Sequence, residues 1–159
     1  MKKLLFVGAL FTAIFVQTAS AQDKSKPVIP TDLLSHYYQI KDALVAGDAK
    51  QAASNAAKFI KSANSIDTNK IAQNNINALV KDADNIIRMK ILDSQREHFA
   101  NLSINMATVA KAVKLTTEPV YYVHCPMKKT YWLSKEKAIK NPYYGSSMLT
   151  CGEVTEIIR

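Results

Sequence analysis

The sequence predicts a mainly α protein: an antiparallel bundle of about four helices, with an irregular C-terminal segment that contains short strands. Three observations support this fold class. Apolar residues recur at helical spacing from Leu33 to Val113. Neither glycine nor proline occurs from Asp48 to Glu118, which favours long helices. From Pro119 onward the helical periodicity is lost and aromatic residues, prolines and glycines cluster instead.

The amino terminus has the three parts of a secretory signal peptide. Residues 1–3 are basic, residues 4–16 form an apolar run, and residues 18–21 are small and end in Ala-x-Ala. The apolar run is too short for a comfortable membrane span, although an uncleaved anchor helix is the alternative. We therefore predict a signal peptide over residues 1–21.

Cleavage after Ala21 would leave a short leader and one domain. Residues 22–30 are polar, contain two prolines and are predicted to form a flexible leader. Residues 31–159 are predicted to form a single helical domain whose C-terminal segment carries cysteines and methionines. We expect a secreted or periplasmic location, with no stable membrane insertion after cleavage.

The first two helices are predicted from their apolar faces and their end signals. The first begins at Thr31 or Asp32 and ends before Gly47. Asp48, with Gln51 three residues later, has the form of a capping box that opens the second helix. The apolar faces of the two helices comprise Leu33, Tyr37, Ile40, Leu44, Ala52, Ala53, Ala56, Phe59, Ile60 and Ala63.

Two further helices follow. Asp67 or Thr68 is expected to open the third helix, which ends near Leu92. Ser94 and Glu97 have the spacing of a second capping box, so we predict that the fourth helix begins there. The apolar faces comprise Ile71, Leu79, Ala83, Ile86 and Ile87, and then Phe99, Leu102, Met106, Val109 and Val113.

The C-terminal segment is predicted to contain two short strands and several turns. Tyr121–Val123 and Tyr131–Leu133 have the aromatic and β-branched composition of strands, and residues 127–130 form the turn between them. A short helical segment is expected over residues 134–139. Asn141–Gly145 has the composition of a turn.

Both cysteines of the chain lie in this segment, and each is close to a methionine. Cys125 and Met127 share a face of an extended chain, and Met148 and Cys151 share a side of a helical turn. Thiolate and thioether sulfurs are ligands that Cu(I) prefers. We therefore predict a copper site with the two cysteines as its core, the two methionines completing it, and His98 as a further candidate.

Two alternatives to this copper site stay open. Zn²⁺ is the alternative metal, because His98 or His124 could join the cysteines. An oxidising compartment also favours a plain disulfide between Cys125 and Cys151, with no metal.

The C-terminal runs resemble a bacterial exported family that is catalogued as domain of unknown function 3347. Two helical runs resemble the same family, so that the resemblance covers nearly all of the predicted domain. Members occur alone or fused to adaptor subunits of heavy-metal efflux pumps, and they are described as binding copper or other heavy metals. The residues that carry the resemblance are Tyr122–Met127, Tyr131–Ser134, Asn141–Gly145, Met148–Val154, Lys41–Val45, Gln95–Phe99 and Leu102–Ser103.

The composition disfavours other functions. The formal charge is +8, but the lysines are scattered rather than clustered with aromatic residues, so we do not expect a nucleic-acid partner. Hydrolase and phosphate-loop motifs are absent, and we do not expect an enzyme.

We therefore expect an exported soft-metal-binding protein that buffers or hands on copper. Its partners would be the metal ion and a metal-efflux adaptor or another periplasmic protein, as the family resemblance implies. The alternative is a non-catalytic structural or protein-interaction domain in which Cys125 and Cys151 form a disulfide.

Overall fold

The computed structural model describes residues 30–159 and confirms the predicted fold class. Four helices are followed by a three-stranded antiparallel sheet. The helices are α1 (Pro30–Ala46), α2 (Ala49–Asn64), α3 (Gln73–Arg88) and α4 (Leu92–Ala112). The strands are β1 (Val120–Cys125), β2 (Thr130–Ser134) and β3 (Glu153–Ile158), and a 3₁₀ helix (Gly145–Met148) precedes β3.

The signal peptide predicted over residues 1–21 lies outside the described residues, as does the predicted leader except for Pro30. Pro30 is the first residue of α1. Among residues 30–159, every helix is too short or too polar to cross a bilayer.

Each helix packs mainly on the next helix along the chain, and β2 packs on α4. The inner face of α2 is lined by fully buried small residues, Ala52, Ala56 and Ala63. Short side chains let neighbouring helices approach closely. Larger fully buried side chains, Tyr37 of α1 and Phe99 of α4, stack at 5.2 Å between ring centroids and fill the space between the helices and the sheet.

The predicted start of α3 at Asp67 or Thr68 is wrong, because the chain forms a turn there. The Asp67 carboxylate accepts a hydrogen bond from the Asn69 backbone N–H at 2.9 Å, and the Asp67 carbonyl accepts one from Lys70 at 2.9 Å. A short polar side chain that bonds its own backbone in this way favours a turn over a helix. The helix begins at Gln73 and ends at Arg88 instead of near Leu92.

One of the two predicted capping interactions is present. The Asp48 carboxylate accepts a hydrogen bond from the Gln51 backbone N–H at 2.8 Å and caps α2. The predicted capping box at Ser94 and Glu97 is wrong. The helix α4 begins at Leu92, and the side chain of its N-cap residue, Ile91, makes no capping hydrogen bond. Glu97 lies within the helix and reaches Lys128 in the C-terminal segment instead.

Both predicted strands are present as β1 and β2, joined by a turn over residues 126–129, and β3 adds a third strand in the order β2-β1-β3. The helical segment predicted over residues 134–139 is wrong. The Ser134 hydroxyl accepts a hydrogen bond from the Glu136 N–H and donates one to the Glu136 carbonyl, which fixes a turn.

The outer edge of β2 is hydrogen-bonded by two tyrosine hydroxyls. The Tyr37 hydroxyl accepts a hydrogen bond from the Leu133 backbone N–H at 3.0 Å and is 2.7 Å from the Ser103 hydroxyl of α4. The Tyr143 hydroxyl donates a hydrogen bond to the Tyr131 carbonyl. Since an unpaired strand edge is costly when buried, these bonds attach the sheet to the helices.

We expect Tyr37→Phe to lower the free energy of unfolding by about 1–3 kcal/mol, because it leaves the buried Leu133 N–H and Ser103 hydroxyl without their partner. Urea unfolding of both proteins measures the change. Tyr38→Phe is the matched control, since Tyr38 is the half-buried neighbour in the same helix. Equal losses in the two variants would contradict the importance of the edge contact.

Candidate functional site

Cys125 ends β1, and its side chain is completely buried. Two N–H groups donate hydrogen bonds to its sulfur. The Lys128 backbone nitrogen is 3.4 Å away and the Asn141 side-chain nitrogen is 3.2 Å away. The sulfur therefore lies under the turn that follows β1 and beside the 141–151 segment.

Asn141 connects the two cysteine-bearing segments. Its side-chain nitrogen also donates to the Cys151 carbonyl at 2.6 Å, so one amide group contacts both cysteines. Its side-chain oxygen accepts hydrogen bonds from the backbone N–H groups of Tyr143, at 2.8 Å, and Tyr144, at 3.3 Å. Asn141 is fully buried, and the sequence identified it only as a turn residue.

Cys151 is half-buried, and both cysteines are free thiols. Its backbone N–H donates to the Met148 carbonyl at 3.1 Å, so the predicted helical turn between the two residues is present. Met148 is 40% exposed and Met127 is 59% exposed. The structure thus holds one sulfur in the interior and offers the two thioethers to solvent.

The segments that carry the two methionines flank one cleft of about 500 Å³. Lys128, next to Met127 in the chain, lines it on one side, and Ser147, next to Met148, lines it on another. Its remaining lining comes from Asp93, Arg96, Glu97, Tyr143 and Tyr144. The four predicted sulfur residues themselves do not line this cleft, although chain neighbours of both methionines do.

His98 lines a second cleft together with Met89, Asp93, Ser94 and Glu97. Asp93 and Glu97 line both clefts, and the four predicted sulfur ligands do not line this one either. Within residues 30–159, no three His, Cys, Asp or Glu side chains converge closely enough to hold a metal ion.

His124 points away from Cys125, as expected for neighbours on a strand. Its ring packs on Tyr131 with centroids 4.7 Å apart, and Nδ1 is 3.5 Å from a Glu153 carboxylate oxygen. His124 therefore lies on the outer face of the sheet, opposite to the buried side chain of Cys125.

The start of α4 positions the rest of the site, beginning with Gln95. Its buried side-chain nitrogen donates hydrogen bonds to the carbonyls of Ala49, Ile86 and Met89, at 2.9, 3.2 and 2.9 Å. These carbonyls belong to the start of α2 and the end of α3. Gln95 therefore holds three helices at one end of the bundle.

Arg96 attaches the C-terminal segment to the same end. Its guanidinium donates to the Pro142 carbonyl at 3.0 Å and to the Leu44 carbonyl of α1 at 3.2 Å. Gly145 packs here with a φ of +54°, and a Cβ atom would lie 2.8 Å from the guanidinium and 2.9 Å from the Val45 carbonyl. Only glycine fits this backbone conformation and approach.

Glu97 and Lys128 form an ion pair between α4 and the turn after β1, with 2.6 Å between the ammonium and carboxylate atoms. The hydrogen bond and the charge of Lys128 lower the pKa of Glu97. Both side chains are partly exposed, so water and salt screen their attraction. This contact joins the turn that lies over the Cys125 sulfur to the helical bundle.

A protein-family model matches the helical part of the chain. The model described as "Protein of unknown function (DUF3347)" matches residues 33–118, which is just over half of the chain. The match includes His98 and ends before β1, so the four sulfur residues lie outside it. No curated protein and no solved structure matches the chain.

We expect Asn141→Ala to lower the free energy of unfolding by at least about 2 kcal/mol. The change leaves buried backbone groups at Tyr143 and Cys151 without partners. Urea unfolding measures the loss. Asn77→Ala, on the exposed side of α3, is the control and should change stability by less than about 0.5 kcal/mol. A loss no larger than that of the control would contradict the role of Asn141.

Burial raises the pKa of both Tyr37 and Tyr143 above the usual range of a phenol. An unfolded tyrosine ionises near pH ~10. Above that pH the folded chain retains protons that the unfolded chain releases, so stability should fall as pH rises, by up to about 1.4 kcal/mol per pH unit for each tyrosine. In urea unfolding from about pH 8 to about pH 11, Tyr143→Phe should show a shallower decline than the wild type. Parallel declines would contradict this account.

Proposed function

The chain belongs to the DUF3347 family of proteins of unknown function, and from that premise we propose that it is an exported protein that binds soft metal ions. Copper in the Cu(I) state is the metal that its sulfur residues suit best. In this role the protein buffers copper or hands it on.

The observation that carries the proposal is the contact of one Asn141 nitrogen with both the Cys125 sulfur and the Cys151 backbone. It makes two free cysteines neighbours although 26 positions separate them in the chain. Thiol side chains so arranged supply the donor type that Cu(I) prefers. Met127 and Met148 lie on the two adjoining segments and are open to solvent.

The proposed donor set also indicates which metal ions would bind weakly. Two thiolates and Cu(I) together carry one net negative charge, and Lys128 and Lys129 lie in the turn beside Cys125. Thioethers are neutral, weak ligands that do not favour hard ions such as Mg²⁺ and Ca²⁺. Zn²⁺ is the alternative if a histidine joins the thiolates, and His98 and His124 are the candidates.

The cellular setting follows from the sequence. A signal peptide over residues 1–21 would deliver the domain to the periplasm or outside the cell. There the partner would be an adaptor of a metal-efflux system or another periplasmic protein that accepts the ion. Such a partner would meet the exposed methionines before it met the buried cysteine.

A second candidate is a non-catalytic structural or interaction domain. It is favoured by the packing roles of Gln95 and Arg96, and by the hydrogen bonds that already occupy the Cys125 sulfur. In this account the cysteines form a disulfide after export. Thiol counting on protein purified without reductant separates the two: a fully oxidised pair that resists mild reductant, with no metal uptake after strong reduction, favours the structural role.

Cu(I) competition titrations should rank the ligands. We expect Cys125→Ser and Cys151→Ser to abolish tight binding, because they remove the charged donors. Met127→Leu and Met148→Leu should weaken binding by less, and His98→Ala should test the fifth candidate.

Met89→Leu is the control in these titrations, since it removes a thioether that lines the other cleft. Unchanged Cu(I) affinity in both cysteine variants would refute the proposed site.

A further inference from the structure

The turn over residues 126–129 separates the Cys125 sulfur from solvent. Cys125 is completely buried, whereas Met127, two residues further on, is 59% exposed. The Lys128 backbone N–H points back to the sulfur at 3.4 Å. The turn therefore covers the thiol with its backbone while its side chains face outward.

This turn has few attachments of its own. It links β1 to β2, and Lys129 has a φ of +55°, a conformation that tight turns use. The side chain of Lys128 ties the turn to Glu97 of α4. Because both side chains are partly exposed, solvent and salt weaken this tie.

There is room for the turn to move. The cleft of about 500 Å³ lies between the start of α4 and the 143–147 segment, and Lys128 and Tyr143 both line it. A displacement of the turn would break the Lys128 hydrogen bond to sulfur but keep the bond from Asn141, which comes from another segment. The thiol would then lose its backbone cover without any change in the helices.

We propose that the 126–129 turn is a hinged cover on the Cys125 thiol and that the Glu97–Lys128 ion pair holds it closed. The biological purpose of this cover rests on the proposed function. Metal would first meet the exposed sulfurs of Met127 and Met148 and the half-buried Cys151, and Cys125 would join them after the cover opens. The cover would thereby set the order in which the ligands engage.

Thiol labelling tests the cover without any metal. In a Cys151→Ser background Cys125 is the single thiol of the chain, and its reaction with a maleimide can be followed over time. Glu97→Gln and Lys128→Gln should each raise the labelling rate about two- to fivefold, as expected for the loss of one exposed ion pair. High salt should raise the labelling rate of the parent protein but not that of either variant.

Two features of the design make the result decisive. Glu97→Gln and Lys128→Gln change the local charge in opposite directions, so a purely electrostatic effect on the thiol would move the two rates apart. Glu136→Gln removes a comparable exposed ion pair, with Lys140, and should leave the rate unchanged.

Low concentrations of urea separate local opening from global unfolding. Labelling through the cover should respond weakly to urea, whereas labelling through unfolding should follow the full denaturant dependence of stability. Unchanged rates, rates that move in opposite directions, or labelling that follows global unfolding would each overturn the cover. If the variants label faster but the protein does not bind Cu(I), the result supports the cover and contradicts the proposed function.

Discussion

The hydrogen bonds at the outer edge of β2 determine how the two halves of this fold meet. A strand edge carries backbone donors and acceptors that need partners when it is buried. Tyr37 supplies one hydroxyl from α1, and Tyr143 supplies another from the C-terminal segment. With β2 fixed in this way, the antiparallel pairing places Cys125 opposite Thr130 at the turn end of the sheet. The buried sulfur therefore owes its position to a contact at the edge of the neighbouring strand.

The first turns of α4 supply the second constraint. Gln95 donates hydrogen bonds to α2 and α3, and Arg96 donates hydrogen bonds to α1 and the 142–145 loop. Glu97 forms an ion pair with the turn after β1. The family match covers these side chains although it stops before the strands. Polar side chains of the helical part therefore contact the C-terminal segment directly and hold it in place.

The sequence predicted the elements that depend on hydrophobic periodicity and on strand composition. The apolar periodicity located four helices, and the two aromatic runs became β1 and β2. The Asp48 cap formed because its partner is three residues away. The cap predicted at Ser94 did not form, because α4 begins at Leu92 and Ser94 lies within the helix. Glu97 instead contacts Lys128, a residue that is distant in the chain.

Asn141 shows the same limit within the candidate site. Its type and its position before Pro142 predict a turn, which is a local property. Its bonds to Cys125 and Cys151 depend on how three segments converge, and periodicity carries no information about that. The clustering of cysteine and methionine in the sequence predicted the region, and the geometry added the residue that links its parts.

The single tryptophan of the chain, Trp132, is buried in β2, and its ring meets Tyr143 edge-on with centroids 6.0 Å apart. Its indole emission therefore reports on the sheet and the 141–151 segment, whereas far-ultraviolet circular dichroism reports mainly on the four helices. The molecule carries two separate optical signals for its two halves. Unfolding followed by both signals shows whether the C-terminal segment detaches before the helices unfold, and it needs no label on the protein.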